Sequence, residues 1–255
     1  MSEPILIERD GGVLTIRINR PERKNALTAD MYAAMADALE DGAQDRQIRV
    51  ALLVGTDGIY TAGNDIKDFL NDPPHSEAAP VHRFISFLAS TDLPLVAAVD
   101  GPAIGIGTTM LFHCDFVHVT ERAHLQMPFV DLALVPEAGS SFLAPRLLGH
   151  AKAAELLMLG RPFNGAEAVQ FGIANQLDAP EDLEQAARKT AHLLAAKPPA
   201  ALRATKALLR HSETLLQNAM QREGAAFAQG LGSAEAKEAF SAFLEKRQPD
   251  FSNCG

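Results

Sequence analysis

Hydrophobic and polar residues alternate along residues 13–19, with Leu, Ile and Ile on one face and Thr, Arg and Asn on the other. This period of two predicts a half-buried β-strand. The apolar residues 5–7 precede it across the turn-forming Asp10-Gly11-Gly12, which predicts an antiparallel hairpin. Apolar positions recur at helical spacing after Thr28, a good N-cap residue, and predict a helix that buries one stripe.

Three short, continuous apolar runs follow, at residues 50–54, 95–99 and 116–119. Such runs are typical of strands buried on both faces, and their alternation with helices predicts parallel pairing. From about residue 138 the pattern is helical almost to the end. Its predicted breaks are Gly149, Pro162–Gly165, Lys197-Pro198-Pro199 and Gly230–Gly232. The fold class is therefore α/β. We expect a core over residues 1–200 and a helical arm over residues 201–255 that packs in the same structural unit.

The composition excludes several classes of partner. The 255 residues carry a formal net charge of −9 and contain no run of five or more Lys and Arg, which argues against nucleic acid and anionic membranes. No apolar stretch is long enough to span a bilayer, and the N-terminus does not have the pattern of a signal peptide. Two isolated cysteines predict no disulfide framework. We therefore expect a cytoplasmic protein.

Two glycine-containing loops lie between a buried strand and a helix, at residues 60–66 and 101–107. Glycines allow a close approach of the backbone, and amides at a helix N-terminus carry partial positive charge. Either loop alone is typical of a plain tight turn. A dinucleotide site is excluded, because the third glycine of G-x-G-x-x-G would fall at Met110. Facing each other, the two loops could direct two amides at one developing oxyanion.

Four segments, in order, resemble those of the enoyl-CoA hydratase/isomerase (crotonase) superfamily. They are Arg20-Pro21-Glu22-Arg23-Lys24-Asn25-Ala26-Leu27, Thr61-Ala62-Gly63-Asn64-Asp65, Gly101–Gly107 and Ser241–Arg247. The resemblance covers nearly the whole chain and implies a crotonase (ClpP-like) fold, a spiral core of repeated ββα-type units with the helical arm. It also implies an enzyme of fatty acid metabolism that acts on acyl-CoA thioesters. Coenzyme A would be part of the substrate, and no separate cofactor is expected.

The resemblance also assigns candidate site residues. The oxyanion donors would be the backbone amides of Asn64 and Ile106, where an isoleucine replaces the glycine common in the family. Further substrate contacts would come from the residues around these donors and from the arm. They are Lys24, Ala62, Gly63, Asp65, Ile66, Gly105, Phe243 and Lys246. Family members form trimers or dimers of trimers, so a homotrimer or homohexamer is expected.

The carboxylates indicate which reaction to expect. Family hydratases present two glutamates, and those positions here are Thr109 and Phe129. Glu137 instead lies in Pro136-Glu137-Ala138-Gly139-Ser140-Ser141, which resembles the P-E-G-x-S-S segment of peroxisomal-type Δ3,Δ2-enoyl-CoA isomerases. One carboxylate could remove a proton at C2 and return it at C4. Without the resemblance, the simpler interpretation is an acid that stabilises a helix N-terminus.

The leading hypothesis is therefore isomerisation of 3-enoyl-CoA to 2-enoyl-CoA by Glu137. The alternatives are a hydratase, another crotonase-type reaction such as thioester hydrolysis, or an acyl-CoA-binding protein that has lost its chemistry. No His or Cys pair has the spacing of a metal site, so no metal is expected. Asp131 matches no catalytic position and is interpreted as structural.

Overall fold

A computed structural model describes residues 3–71, 78–210 and 213–254. Within these ranges the main sheet has six strands in the order β1-β2-β3-β4-β6-β9, and only the β1–β2 pair is antiparallel. The predicted hairpin and the parallel pairing of the apolar runs are thus confirmed. The strands of this sheet are β1 Ile5–Asp10, β2 Val13–Ile18, β3 Val50–Val54, β4 Leu95–Val99, β6 Phe116–Thr120 and β9 Gln176–Asp178.

A second sheet of three short strands pairs in the order β5-β7-β8. Its strands are β5 Pro102–Ile104, β7 His124–Gln126 and β8 Phe163–Asn164. The α-helices of the described ranges are α1 Ala29–Gln44, α2 Ile66–Asn71, α3 Pro80–Ser90, α4 Ile106–Thr109, α5 Ser140–Leu148, α6 His150–Met158, α7 Gly165–Gln170, α8 Leu183–Ala195, α9 Pro199–Leu209, α10 Glu213–Leu231 and α11 Ala234–Glu245. Thr28 caps α1 by accepting a hydrogen bond from the amide of Met31, as predicted.

Helices cover both faces of the main sheet. Helices α1 and α3 pack on the face that carries Leu14 and Ile16, and α8 packs on the opposite face. The expectation that β2 is half-buried is therefore wrong. Arg17 on its polar face pairs with Glu184 of α8 at 2.6 Å, and Thr15 is only 1% exposed. Polar residues satisfied by partners on a covering helix give the same alternation as residues that face water.

The region after residue 138 is not helical throughout, which corrects the sequence prediction. Strand β8 is two residues long and lies within the predicted break at residues 162–165, whereas β9 is three residues long and pairs with β6. Runs this short carry too few residues for a period-two pattern to be visible. The other three predicted breaks coincide with helix ends or the junctions between helices.

The last three helices pack on the core. Lys206 of α9 is 5% exposed and binds Asp115 and the carbonyl of Leu93, each at 2.7 Å. Helix α10 packs against α5, and α11 packs against the short 3₁₀ helix Val130–Leu132. None of the helices in the described ranges is both long and apolar enough to span a membrane.

Candidate active site

The two glycine loops begin at the carboxyl ends of neighbouring parallel strands. Val54 ends β3 and pairs with Ala98 near the end of β4, so both loops leave the sheet at the same edge. Open α/β sheets place their ligands outside this edge. The loops also pair with each other through two backbone hydrogen bonds. The amide of Thr61 donates to the carbonyl of Pro102 at 2.8 Å, and the carbonyl of Thr61 accepts from the amide of Ile104 at 3.0 Å.

The first candidate oxyanion donor is the backbone amide of Asn64. Leu27 pairs with this residue as a parallel bridge, bonding the carbonyl of Gly63 and the amide of Asp65 at 2.8 Å each. Peptide groups alternate in direction along an extended chain, so the amide of Asn64 points away from Leu27. It donates to no acceptor among the described residues. Tyr32 holds the side chain of Asn64 through a 2.5 Å hydrogen bond to its Oδ1.

The second candidate donor is the amide of Ile106, the first residue of α4. Gly105 precedes it with φ 57° and ψ −117°, a conformation that glycine adopts readily and other residues rarely do. The amides of Thr108 and Thr109 bond back to the carbonyl of Gly105. The amide of Ile106 has no acceptor among the described residues and remains available, while its side chain is buried.

A backbone hydrogen bond joins the first loop to Lys24, one of the candidate coenzyme A residues. Ala62 donates to the carbonyl of exposed Lys24 at 3.0 Å, and the neighbouring Ile66 begins α2. Asn25 locks this segment from within, accepting from the amide of Arg20 and donating to the carbonyl of Ile59, each at 2.7 Å. Asn25, the Asn of the R-P-x-x-x-N-A-L segment, therefore has a structural role: it joins the segment that begins at Arg20 to the chain at Ile59.

Asp65 has protein partners of its own. It pairs with Arg20 at 2.8 Å and accepts from the amides of Lys67 and Asp68 in the first turn of α2. Burial raises its pKa, but the hydrogen bond from Arg20 and those amides outweigh burial and lower it. Asp65 is thus placed to order the loop around the Asn64 amide, and its sequence-based assignment as a substrate contact remains a prediction.

Phe243 and Lys246 lie near the C-terminus. Phe243 is on α11, and Lys246 is the C-cap of that helix, in the left-handed conformation. Phe243 is 59% exposed, and Lys246 is exposed. No hydrogen bond among the described residues joins either of them to the glycine loops. The single chain therefore leaves both side chains open to another molecule.

Glu137 is partly buried and has one side-chain hydrogen-bond donor in the described structure, the hydroxyl of Thr109. Burial raises the pKa of Glu137 to about 8, the Thr109 bond opposes this rise, and the charge of Glu223 adds to it. Thr109 lies three residues after Ile106, so this hydroxyl connects the helix of the second oxyanion loop to the carboxylate.

The turn that carries Glu137 is fixed from several sides. Ala138 has φ 56°, an uncommon conformation for a residue with a β-carbon, and its carbonyl accepts a 2.7 Å bond from His113 Nε2. Burial lowers the pKa of His113 to about 4, so the imidazole is neutral when it donates. The hydroxyl and the amide of Ser140 both donate to the carbonyl of Glu137.

Sequence reasoning missed three residues of this site. Thr109 was identified only as a position that lacks the glutamate of family hydratases. That position in the motif was the one sign in the sequence that Thr109 lies in the site. Tyr32 and Glu223 had no signal, because each is one position within an ordinary helix. Burial and, to a smaller extent, the charge of Glu137 raise the pKa of Tyr32, which indicates that Tyr32 lies near the carboxylate. Among the described residues, no three His, Cys, Asp or Glu form a metal-binding group.

Comparison with known proteins settles the family. The family model for enoyl-CoA hydratase/isomerase matches residues 8–254. This chain belongs to the enoyl-CoA hydratase/isomerase family. It is therefore an enzyme of the crotonase superfamily with the corresponding α/β fold.

Individual members of the family are similar over most of the chain. The 1,2-epoxyphenylacetyl-CoA isomerase of Escherichia coli K12 is 34% identical, covering 98% of this chain and 99% of that protein. Enoyl-CoA delta isomerase 2 of Rattus norvegicus is 32% identical over 87% of the chain, which spans only 58% of that relative. The crystal structure of an enoyl-CoA hydratase/isomerase from Pseudoalteromonas atlantica T6c superposes with a TM-score of 0.93 at 41% identity, covering 98% and 100%.

The geometry of the first loop predicts the effect of Gly63→Ala. Gly63 has φ 84°, and a β-carbon there would lie 2.6 Å from the carbonyl oxygen of Ile104 in the second loop. The loops must separate, so the amides of Asn64 and Ile106 would move apart. We expect kcat to fall about 10²–10³-fold, the loss typical of one oxyanion donor. Steady-state kinetics of the folded variant measure this.

The matched control is Gly149→Ala. Gly149 also has a positive φ, 77°, but a β-carbon added there would meet no atom within 4 Å. The variant should retain near-normal activity despite similar backbone strain. Equal activity of the two variants would show that contact between the loops is irrelevant to catalysis.

Proposed function

We propose that this enzyme isomerises 3-enoyl-CoA to 2-enoyl-CoA, with Glu137 as its single acid–base group. The observation that carries this proposal is the hydrogen bond between Thr109 and Glu137. Thr109 stands where hydratases of the family are expected to have a glutamate, and its hydroxyl cannot activate water as a carboxylate does. A single carboxylate suits a reaction that moves one proton between two carbons of the same substrate.

The proposed chemistry needs only the chain's own groups. The thioester oxygen accepts hydrogen bonds from the amides of Asn64 and Ile106. The Glu137 carboxylate takes a proton from C2, and the electron pair moves into the conjugated dienolate, whose negative charge rests mainly on that oxygen. The protonated Glu137 then returns the proton to C4, the double bond forms between C2 and C3, and the carboxylate is regenerated. No water is added or lost.

The electrostatics of Glu137 support both halves of this cycle. A C2 proton beside a thioester is weakly acidic, so a base whose pKa is raised to about 8 takes it more readily than an ordinary carboxylate. The same raised pKa keeps the acid form stable enough to act as a donor. The rise comes mainly from burial, which disfavours the charged form of the carboxylate.

Replacing Glu137 tests the proposal directly. Glu137→Gln preserves the shape and the possibility of a hydrogen bond with Thr109 but cannot accept a proton from carbon. We expect isomerisation of 3-hexenoyl-CoA to fall roughly 10²–10⁴-fold, while binding of the thioester changes little. Absorbance of the 2-enoyl thioester follows the reaction.

Asp131→Asn is the matched control, because Asp131 is an exposed carboxylate in the same stretch of chain. It should leave the rate unchanged. Retention of wild-type isomerisation in Glu137→Gln would overturn the proposal. A wild-type enzyme that hydrates crotonyl-CoA faster than it isomerises 3-hexenoyl-CoA would favour the hydratase instead.

The pH dependence has a definite sign. Because the base acts in its ionised form, kcat/KM should rise with pH through a midpoint near 8, the raised pKa of Glu137. The Thr109 hydrogen bond lowers that pKa, so Thr109→Val should move the midpoint to higher pH. A pH profile of kcat/KM for both proteins measures the shift. A midpoint that moves to lower pH in Thr109→Val would contradict this assignment.

We further propose that the arm, residues 201–255, serves oligomerisation and closure of the coenzyme A site. Large apolar side chains are exposed on its helices, with Leu208 87% and Leu209 76% exposed on α9. Phe243 on α11 is exposed as well, close to the cation Lys246. Contact with another subunit would remove the apolar surface from water and could bring these two residues to a neighbouring coenzyme A.

The mass in solution tests this arrangement. Light scattering coupled to size exclusion should give three or six times the chain mass of 27.3 kDa. Phe243→Ala should then raise KM for acyl-CoA with a smaller effect on kcat. A monomer of 27.3 kDa with full activity would contradict both roles of the arm.

A further inference from the structure

A buried glutamate from the helical arm contacts the turn that carries Glu137. Glu223 of α10 is 7% exposed. Its Oε2 accepts the amide of Gly139 at 2.6 Å, and its Oε1 accepts the amide of Ser141 at 2.8 Å. These two amides belong to the N-terminus of α5, which begins at Ser140. Both oxygens of the carboxylate are therefore used on backbone that follows Glu137 by two and four residues.

Glu223 has the structural role that the simpler interpretation of the sequence would have given to Glu137, that of the acid at a helix N-terminus. A carboxylate at a helix N-terminus satisfies free amides and interacts favourably with the helix dipole. Gly139, the N-cap of α5, makes no side-chain cap of its own. Since Glu223 provides the acid for this helix end, the Glu137 side chain is free to point toward Thr109.

The arm lies tightly on this turn. Gly139 has φ 71°, and a β-carbon there would lie 2.4 Å from Leu216 Cδ1 of the same helix α10. The carboxylate of Glu223 and the side chain of Leu216 thus hold the turn from one direction. Two carbonyls of the turn are held as well, that of Ala138 by His113 and that of Glu137 by the hydroxyl of Ser140.

We propose that Glu223 is a positioning residue for the Glu137 base: it fixes the turn that carries Glu137 and acts on that carboxylate with its own negative charge. This inference rests on the proposed role of Glu137. Because Glu223 is 86 residues further along the chain, it makes the active site dependent on the docking of α10.

The electrostatics agree with this geometry. The charge of Glu223 adds to burial in raising the pKa of Glu137. Burial raises the pKa of Glu223 too, while its bonds to Ser141 and Gly139 and the nearby Arg222 oppose that rise. Among the described residues, Tyr32 of α1 also interacts with Glu137, and His113 of the 3₁₀ helix Met110–His113 contacts this turn. The pKa of Tyr32 is raised well above its ordinary value, and that of His113 is lowered to about 4, so neither titrates between pH 6 and 9.

Two variants separate charge from geometry. Glu223→Gln keeps the side-chain length but removes the charge, and only one of its two head atoms can still accept an amide. Glu223→Asp keeps the charge but is one methylene too short to reach both amides. The exposed Glu121→Gln is the control for loss of one negative charge elsewhere. Circular dichroism and thermal unfolding confirm the folded state of each variant.

The readout is the titration of Glu137 itself. Protein labelled with ¹³C at the glutamate carboxyls is titrated from pH 5 to 10, and the Glu137 resonance is identified by its loss in Glu137→Gln. We expect its midpoint to move to lower pH in Glu223→Gln, to remain closer to wild type in Glu223→Asp, and not to move in Glu121→Gln. An unchanged midpoint in Glu223→Gln would overturn the electrostatic role.

Kinetics test the positioning role. In both Glu223 variants kcat should fall at least tenfold with a smaller change in KM, because a displacement of a catalytic group by about 1 Å costs about 10²-fold. A wild-type kcat in both variants would overturn this role. Loss of activity in Glu137→Gln, together with an unmoved midpoint in Glu223→Gln and a wild-type kcat in both Glu223 variants, refutes the inference alone. Full activity of Glu137→Gln refutes the proposed function, whatever the carboxyl titration shows.

The wild-type protein provides the test if the Glu223 variants do not fold. The amide protons of Gly139 and Ser141 should follow the titration of the Glu223 carboxyl and be protected from hydrogen exchange, since both donate to it. Rapid exchange of these two amides, or shifts independent of the Glu223 carboxyl, would overturn the proposal.

Discussion

The pairing of Thr61 with Ala103 is the interaction on which the rest of the site depends. It joins the loops that follow β3 and β4 through two backbone hydrogen bonds, and glycine at position 63 allows the close approach. Side chains cannot substitute for this contact, because the candidate donors, the amides of Asn64 and Ile106, belong to the backbone of the two loops. The bridge between Leu27 and Asn64 and the beginning of α4 set the directions of these amides, so the proposed donors would be organised before any substrate arrives.

The carboxylate has a different structural origin from the amides. Glu137 lies on a turn with two successive left-handed residues, Ala138 and Gly139, and the turn is bonded by groups from distant helices. Thr109 connects it to the helix that follows the second glycine loop. The candidate oxyanion donors therefore belong to the α/β core, whereas the candidate base, Glu137, is held by both the core and the arm. The proposed roles of Glu137 and Glu223 imply that a mutation in α10 would affect chemistry without contacting the substrate.

Much of the fold could be predicted from the sequence because its signals are local. The buried parallel strands have continuous apolar runs, and Thr28 marks the beginning of α1. Strands β8 and β9 could not be predicted, since two or three residues show no period. The covered polar face of β2 was also misread, because the partners of Arg17 and Thr15 lie about 170 residues away on α8.

The sequence indicated the parts of the candidate site that have a local motif, and not the parts that depend on tertiary contacts. Glu137 became a candidate through its segment, and its catalytic role stays a prediction. Tyr32 and Glu223 did not become candidates, because nothing in the sequence of their helices distinguishes them from the other residues there. Thr109 shows the boundary between the two cases: its position was recognised, but only the fold shows that its hydroxyl faces Glu137.

The path of the proton tests the central claim, a single carboxylate that serves both C2 and C4, most directly. The substrate is 3-hexenoyl-CoA with both hydrogens at C2 replaced by deuterium, converted in ordinary water and examined by mass spectrometry and NMR. A single shuttle predicts 2-hexenoyl-CoA in which a measurable fraction carries the transferred deuterium at C4. A C4 hydrogen derived entirely from solvent, or a 3-hydroxyacyl thioester as the main product, would contradict it.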